Sequence, residues 1–312
     1  MGSLSTIGIL GGTGFVGTHL TAHLVKEGYR VRVLSRRPHR YRNLGLLTGV
    51  ELVECDVFNL KQLRLSIKGC DAVINLVGIL NQTRHQNLRR THVALPGKLV
   101  EICKQQKIRR LLHVSALNAG SAATSEYLRS KGDGENLIHT SSGGDLKVTS
   151  FRPSVIFGPG DSFLNRFAGV LKLLPGPLPL ACAKSRLAPV YVGDVVKSMV
   201  DALEDPDTFG ARIELCGPFE YTLQELVELT ARYTQQNKKV IGLPRWLSYF
   251  QATILGILPG KLFTLDNYRS MQTDSVCKNK TSCPTSIEVI APEYLGAAGH
   301  EAKMQRFREN HS

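Results

Sequence analysis

Tyr127 and Lys131 stand four residues apart in the segment Tyr127-Leu-Arg-Ser-Lys131. On a helix, positions i and i+4 share a face, so a phenol and an ammonium would project the same way. Such a pair could run acid–base chemistry on a carbonyl or an alcohol. A phenol ordinarily keeps its proton up to about pH 10, and a neighbouring cation favours the phenolate. Ser115, at the end of an apolar run, could bond a substrate oxygen. Ser115, Tyr127 and Lys131 are therefore the candidate catalytic residues. The spacing also arises by chance on exposed helices, so its meaning depends on the surrounding elements.

The element that gives it meaning lies near the N-terminus, in Ile9-Leu-Gly-Gly-Thr-Gly-Phe-Val-Gly17. Gly12, Gly14 and Gly17 fit a GxGxxG pattern, and Gly11, Gly14 and Gly17 fit GxxGxxG. The loop follows an apolar strand and opens a helix with Val16, Leu20 and Leu24 on one face. Early glycines permit the tight turn, Gly14 lets backbone approach a pyrophosphate, and Gly17 lets helix and strand pack closely. Helix N-terminal amides would hold the phosphates. Gly11, Gly12, Thr13, Gly14, Phe15, Val16 and Gly17 are thus candidate dinucleotide contacts.

A second strand ends at Leu34, where an NAD site usually carries a carboxylate for the ribose hydroxyls. Here stand Ser35, Arg36 and Arg37. A carboxylate would repel a 2′-phosphate, and an arginine can grip one with its planar fork. NADPH is therefore preferred to NADH, although Arg30, Arg32, Arg40 and Arg42 leave open a plain solvated basic face. Asp56 and Val57, just past the third strand, are placed to contact adenine. Val77 and Pro153 complete the cofactor set.

These residues need a frame. Apolar runs at Ile7–Leu10, Arg30–Leu34, Glu51–Val53, Ala72–Leu76, Arg110–Val114 and Lys147–Phe151 alternate with helical patterns. The alternation predicts an α/β Rossmann fold, a doubly wound parallel sheet with a smaller C-terminal substrate lobe. The expected division is a Rossmann domain over 1–155, a lobe interleaved with the sheet over 156–275, and a polar tail over 276–312. The tail reads as partly disordered or as a small docking element. In the lobe, Val190–Val192 reads as a strand and Asp194 as the cap of a helix reaching Leu203. Thr222 and Glu225 read as a capping box.

The net charge is +13, which favours anionic partners. No zinc-finger spacing, basic heptad region or aromatic–basic RNA signature accompanies it, so nucleic acid is not expected. Seven cysteines are dispersed without CxxC spacing. They point to reduced thiols, no metal site and a reducing, cytoplasmic or matrix-like compartment. Met1–Thr6 runs into the first strand without room for a secretory signal.

Phe151-Arg-Pro-Ser-Val-Ile-Phe-Gly-Pro-Gly-Asp161 and Pro189-Val-Tyr-Val-Gly-Asp-Val195, together with the glycine loop and Tyr127–Lys131, resemble the extended or atypical short-chain dehydrogenases/reductases. With Asn75-Leu-Val-Gly-Ile-Leu80 and His113-Val-Ser-Ala-Leu-Asn118, they resemble the subgroup of the nucleotide-binding accessory subunit of respiratory complex I and its bacterial relatives. The resemblance covers roughly residues 5–265. It implies that Gly11, Gly14, Gly17, Arg36, Asp56 and Lys131 bind cofactor and that Tyr127 and Ser115 occupy catalytic positions. It also implies a quinone-like or isoprenoid substrate.

Trp246–Leu258 is the most apolar helical candidate, flanked by Arg245 and Lys261. It is too short to span a bilayer. It reads either as a lobe helix packed on the sheet or as an interfacial segment drawn to anionic lipid. Three functions remain open: an NADPH-dependent oxidoreductase acting on a hydrophobic carbonyl or quinone-related compound, a non-catalytic NADPH-binding accessory or assembly subunit of a respiratory complex, and a redox-sensing binding protein.

Overall fold

A computed structural model describes residues 5–83, 86–257, 261, 263–279 and 283–296. The first half runs β1 (Thr6–Leu10), α1 (Phe15–Lys26), β2 (Arg30–Ser35), α2 (Arg42–Gly45), β3 (Val50–Glu54), α3 (Leu60–Ser66), β4 (Ala72–Asn75), α4 (Leu95–Gln105), β5 (Arg110–Val114), α5 (Glu126–Ser141) and β6 (Lys147–Pro153). There follow β7 (Ile156–Phe157), α6 (Leu164–Leu173), β8 (Leu178–Leu180), β9 (Arg186–Leu187), β10 (Val190–Tyr191), α7 (Val192–Asp201) and β11 (Arg212–Leu215). The last elements are β12 (Tyr221–Thr222), α8 (Leu223–Tyr233), β13 (Val240–Gly242), α9 (Arg245–Ile257), α10 (Leu265–Ser270) and α11 (Ile287–Leu295).

The chain divides into two units, residues 1–153 with 195–214, and 154–194 with 215–312. The first unit holds a seven-stranded sheet in the order β11-β6-β5-β4-β1-β2-β3. The pairings from β3 through β6 are parallel. All six strands expected from the apolar runs are present, with ends displaced by a residue or two. The order reverses between β1 and β4, the switch point at whose carboxyl ends doubly wound sheets open a crevice. Buried Ile7, Ile9, Val31, Val33, Val73 and Leu111 make the strands apolar on both faces, as a sheet covered by helices on both sides requires. Arg110 is buried, with its guanidinium on the Ala202 carbonyl, Thr149 and Thr208 and over the Phe209 ring. These bonds fasten residues 202–209 to the sheet.

In the second unit, α6, α8, β8, β13 and α11 surround an apolar core that includes Leu171, Leu178, Leu226, Val227 and Ile287. The Thr222–Glu225 capping box forms as expected. Three expectations need correction. Asp194 does not cap a following helix, because α7 starts before it; its carboxylate instead accepts bonds from Thr285 N and Oγ1. The stretch expected as a polar tail from 276 contains α11, which buries Ile287, Ala291 and Leu295, so its docking-element reading holds there and its disordered one does not; the expectation for 297–312 falls outside the described residues. The cysteines are not all reduced: Cys216 and Cys277 form a disulfide. At a sequence separation of 61, spacing carried no sign of the bond.

Candidate functional site

A cleft of about 740 Å³ opens at the carboxyl ends of β1, β2, β3 and β4. Each strand gives its first loop residues to the wall. Gly11, Thr13 and Gly14 come from the β1–α1 loop. Ser35 ends β2 and Arg36, Arg37 and Arg40 follow it, Cys55 to Phe58 follow β3, and Leu76 to Ile79 follow β4. Residues 86–91 close the far side with Gln86, Asn87, Arg90 and Thr91.

The glycine loop has the geometry its sequence implies. Gly11 has φ +81°, a conformation glycine adopts without strain, and a Cβ there would lie 3.2 Å from the Leu76 carbonyl carbon. Gly14 donates from N to the Gly11 carbonyl at 3.0 Å and caps α1 without a side-chain bond. The first turn of α1 carries no carboxylate, so the positive end of the helix is left for an anion. Gly12 and Gly17 lie behind the wall. A Cβ on Gly12 would stand 2.9 Å from the Val33 side chain, and one on Gly17 2.4 Å from the Gly11 carbonyl oxygen. Of the cofactor residues expected from sequence, Gly11, Thr13, Gly14, Ser35, Arg36, Arg37, Asp56, Val57 and Val77 line the cleft; Gly12, Phe15, Val16, Gly17, Lys131 and Pro153 do not.

The end of the cleft beyond β2 is cationic. Arg36, Arg37 and Arg40 are exposed there beside Ser35. Arg36 also faces Glu54 and Asp56 across a smaller hollow of about 420 Å³. Arg90, from the opposite side, stacks its guanidinium 4.6 Å from the Phe58 ring centroid. Sequence reasoning missed Arg90, Phe58 and Arg40 as wall residues, because nothing in a strand-and-loop pattern tells which turn folds back over the crevice.

The catalytic candidates sit on β5 and α5. Lys131 is buried, and its Nζ donates to the Val114 carbonyl at 2.9 Å, next to Ser115. Burial lowers its pKa to about 8, against the opposing pull of the Glu135 carboxylate. A Cβ on Gly78 would lie 3.1 Å from that Nζ, so the ammonium stands directly behind the cleft wall. Ser115 is buried, and its Oγ has no hydrogen-bond partner among the described residues. Tyr127 is half-buried, packing against the small cluster of Ala116, Ala119 and Leu128. Burial pushes its phenol up to about 12. The expected drift toward phenolate beside Lys131 is thus opposed by desolvation.

One neighbour had no sequence signal. His92 lies on a π-helical turn, Arg90–Ala94, a distortion that recurs at functional sites. Its Nε2 accepts from Ile79 N at 3.1 Å. The ring proton therefore sits on Nδ1, 2.9 Å from Ser130 Oγ, which in turn donates to the Tyr127 carbonyl. The His92 and Tyr127 rings meet edge to face with centroids 5.7 Å apart. Burial and the Lys131 charge take His92 down to about 2, so it is neutral. Gly134 makes the approach possible, since a Cβ there would meet the His92 carbonyl oxygen at 1.6 Å. Further along α5, fully buried Glu135 holds Arg152 at 2.8 Å and Arg212 at 2.7 Å. That arrangement braces the helix against β6 and β11.

The features together fit a dinucleotide: a cradle only glycine permits, a carboxylate-free helix start, an arginine-rich arm, and a buried serine oxygen with bonding capacity to spare.

The comparisons place the chain in a family. The family described as NAD dependent epimerase/dehydratase matches residues 7–216. A mouse protein, NADH dehydrogenase [ubiquinone] 1 alpha subcomplex subunit 9, mitochondrial, is 31% identical over 82% of this chain and 68% of its own length. A ceramide reductase from Caulobacter vibrioides is 28% identical over 76% of this chain and 73% of its own. A Bacillus cereus UDP-glucuronic acid 4-epimerase, solved with UDP-glucuronic acid and NAD, superposes with a TM-score of 0.66 at 20% identity, over 76% of this chain and 86% of that one. The matched span contains the whole cleft, Ser115, Tyr127 and Lys131, and by it the chain belongs to the NAD dependent epimerase/dehydratase family.

Proposed function

We propose that this chain binds NADPH in the cleft and uses Ser115, Tyr127 and Lys131 to reduce a hydrophobic carbonyl or quinone-related compound. The observation that carries the reading is the junction of the two halves of the site. The glycine cradle and arginine arm form one wall, and the Lys131 ammonium stands immediately behind Gly78 in the same wall. Gly11 and Gly14 would cradle the pyrophosphate, and Arg36, Arg37 and Arg40 would take the 2′-phosphate. Bound there, NADPH supplies a hydride.

The chain's own residues supply the proton and the orientation. Reduction of a carbonyl needs an acid, and a phenol held near 12 keeps its proton at neutral pH. Tyr127 is then the donor to the substrate oxygen, and Ser115 Oγ, without a protein partner, donates to the same oxygen. Lys131, whose Nζ bonds the Val114 carbonyl, would bond the ribose of the cofactor. Preference for NADPH over NADH rests on Ser35 where a carboxylate would stand, and on three arginines around it.

A second reading is favoured by the mouse relative, whose name is that of a respiratory-complex subunit. In that reading the same residues hold NADPH as a lasting ligand in an accessory subunit, without turnover. The caulobacterial relative, named as a reductase of a lipid, favours the first.

Denaturing release of nucleotide from the purified protein, with identification by mass, tests the cofactor. Titration follows with NADPH and NADH. The expected result is NADPH binding at least about tenfold tighter, as a charge-assisted phosphate contact gives, with Arg36→Ala and Arg37→Ala together abolishing the difference. Tighter binding of NADH would overturn the preference. Turnover of long-chain ketones and quinones that Tyr127→Phe abolishes, with NADPH binding retained, supports catalysis. NADPH released only on unfolding, with no turnover, supports the accessory role.

A further inference from the structure

Helix α9 is built inside out. The residues it buries fully are small, and half-buried Leu247, Gln251 and Leu255 lie beside them. Ser248 and Ala252 are buried, Ser248 Oγ accepts from Cys182 N, and Gln251 bonds the main chain of Pro179 and Ala181 at the β8 end. Five of its large apolar residues face outward. Trp246 is 71% exposed, Phe250 59% and Ile257 81%, with Tyr249 and Ile254 between them. Positions 246, 249, 250, 254 and 257 follow the i, i+3, i+4 rhythm of one helical face. This is the reverse of a helix packed in a core. Of the two sequence readings for this segment, these exposures favour the interfacial one.

Along the chain, the charge flanking the helix has one sign. Between Glu228 and Asp266 there is no Asp or Glu, whereas Arg232, Lys238, Lys239, Arg245 and Lys261 all fall in that stretch. A contiguous apolar patch on a soluble surface marks a docking site. Aromatic side chains on a helix too short to cross a bilayer, flanked by cations and free of carboxylates, match an interfacial segment. Among the described residues no helix is long and apolar enough to span a membrane.

We infer that the α9 face seats this protein on an anionic lipid surface. The rings of Trp246 and Phe250 and the side chains of Ile254 and Ile257 enter the headgroup–acyl boundary, and the surrounding lysines and arginines meet lipid phosphates. None of these residues lines the cleft, so the inference stands whatever the cleft binds.

Trp246 is the one tryptophan of the chain and reports on the patch directly. The full-length protein is mixed with vesicles of phosphatidylcholine alone, or of phosphatidylcholine and phosphatidylglycerol in equal parts, at low and high salt. Tryptophan emission and co-flotation are read together. With anionic vesicles at low salt, the emission should shift to the blue and the protein should float; high salt should reverse both. Phe250→Ser combined with Ile257→Ser should weaken binding by at least about tenfold while melting as the unaltered protein does. No shift and no flotation with anionic vesicles at low salt would overturn the proposal. Equal binding to neutral vesicles would overturn the electrostatic part. A blue shift without vesicles as protein concentration rises, with the mass doubling in light scattering, would assign the face to a second copy of the chain instead.

Discussion

Lys131 Nζ reaches back from α5 to the main-chain carbonyl of Val114 at 2.9 Å, the last residue of β5 before Ser115. This bond sets the ammonium behind the cleft wall, and it does so at a cost. The cation is buried, and its pKa has fallen from 10.5 to about 8.

That cost has a measurable sign. A lysine with a lowered folded pKa destabilises the fold while both states are protonated, below about pH 8, and the penalty is relieved as pH rises from 8 toward 10.5. Lys131→Met removes the buried charge. At neutral pH it should leave the free protein as stable as before or more so, by up to roughly 3 kcal/mol less the lost Val114 bond. Cofactor affinity should fall at the same time. Thermal melting and nucleotide titration on one preparation check both. A variant that melts much lower, or that binds cofactor unchanged, would remove Lys131 from the site.

The glycines of the β1–α1 loop separate by role. A Cβ on Gly17 would stand 2.4 Å from the Gly11 carbonyl oxygen and 2.5 Å from Gly12 Cα, backbone that cannot step aside. Gly17→Ala should cost roughly 3 kcal/mol or more and reduce the yield of folded protein. Gly14 meets only the Gly11 carbonyl oxygen, at 3.3 Å, and has an ordinary extended conformation. Gly14→Ala should fold and melt nearly as before, yet lose at least about tenfold in nucleotide affinity, because on the proposed reading the added methyl would stand where the pyrophosphate approaches. Melting curves beside nucleotide titrations distinguish the two outcomes.

Much of this frame was legible in the residues because its signals are local. The apolar runs fall on sheet strands, and Gly11 to Gly17 opens a helix as that spacing demands. What was not legible depends on distant chain segments. His92 reaches the back of Tyr127 only because a π-turn forms and Gly134 has no side chain. Arg90 enters the cleft wall because residues 86–91 fold across it. The Cys216–Cys277 bond joins positions far apart in sequence, and α11, in a stretch that reads as tail, docks through Ile287, Ala291 and Leu295. Periodicity told that α9 is a helix but not which of its faces would be covered.

His92 should make the protein sensitive to mild acid. Its folded pKa is about 2 against an ordinary 6.5. Below pH 6.5 the unfolded chain takes up a proton on this ring that the folded chain refuses, so stability falls as pH drops through 6.5. Between pH 6.5 and about 5 the loss amounts to roughly 2 kcal/mol. His113, also buried and held well below its usual range, adds in the same direction. His92→Gln, which keeps an acceptor for Ile79 N, should flatten the melting temperature over this interval relative to the unaltered protein. A profile as steep as before would mean that His92 titrates freely in the folded state.

The disulfide gives the most direct count. Seven cysteines are present, and Cys55, Cys70, Cys103, Cys182 and Cys283 stand outside the disulfide as thiols. Denatured without reductant and with oxidation blocked by prior acidification, the protein should show five titratable thiols, and seven after reduction. The bond closes a loop across 61 positions, from the end of β11 to the segment that precedes α11. Cross-linking a loop of that size restricts the unfolded chain and stabilises the fold by about 2–4 kcal/mol. Cys216→Ser should therefore lower the melting temperature under oxidising conditions and abolish its dependence on reductant. Since Cys216, Cys277 and α11 all belong to the second unit, the nucleotide affinity of the cleft should be unchanged. Seven thiols in the untreated protein would mean that the pair stays reduced, and the stability difference between Cys216→Ser and the unaltered chain should then vanish as well.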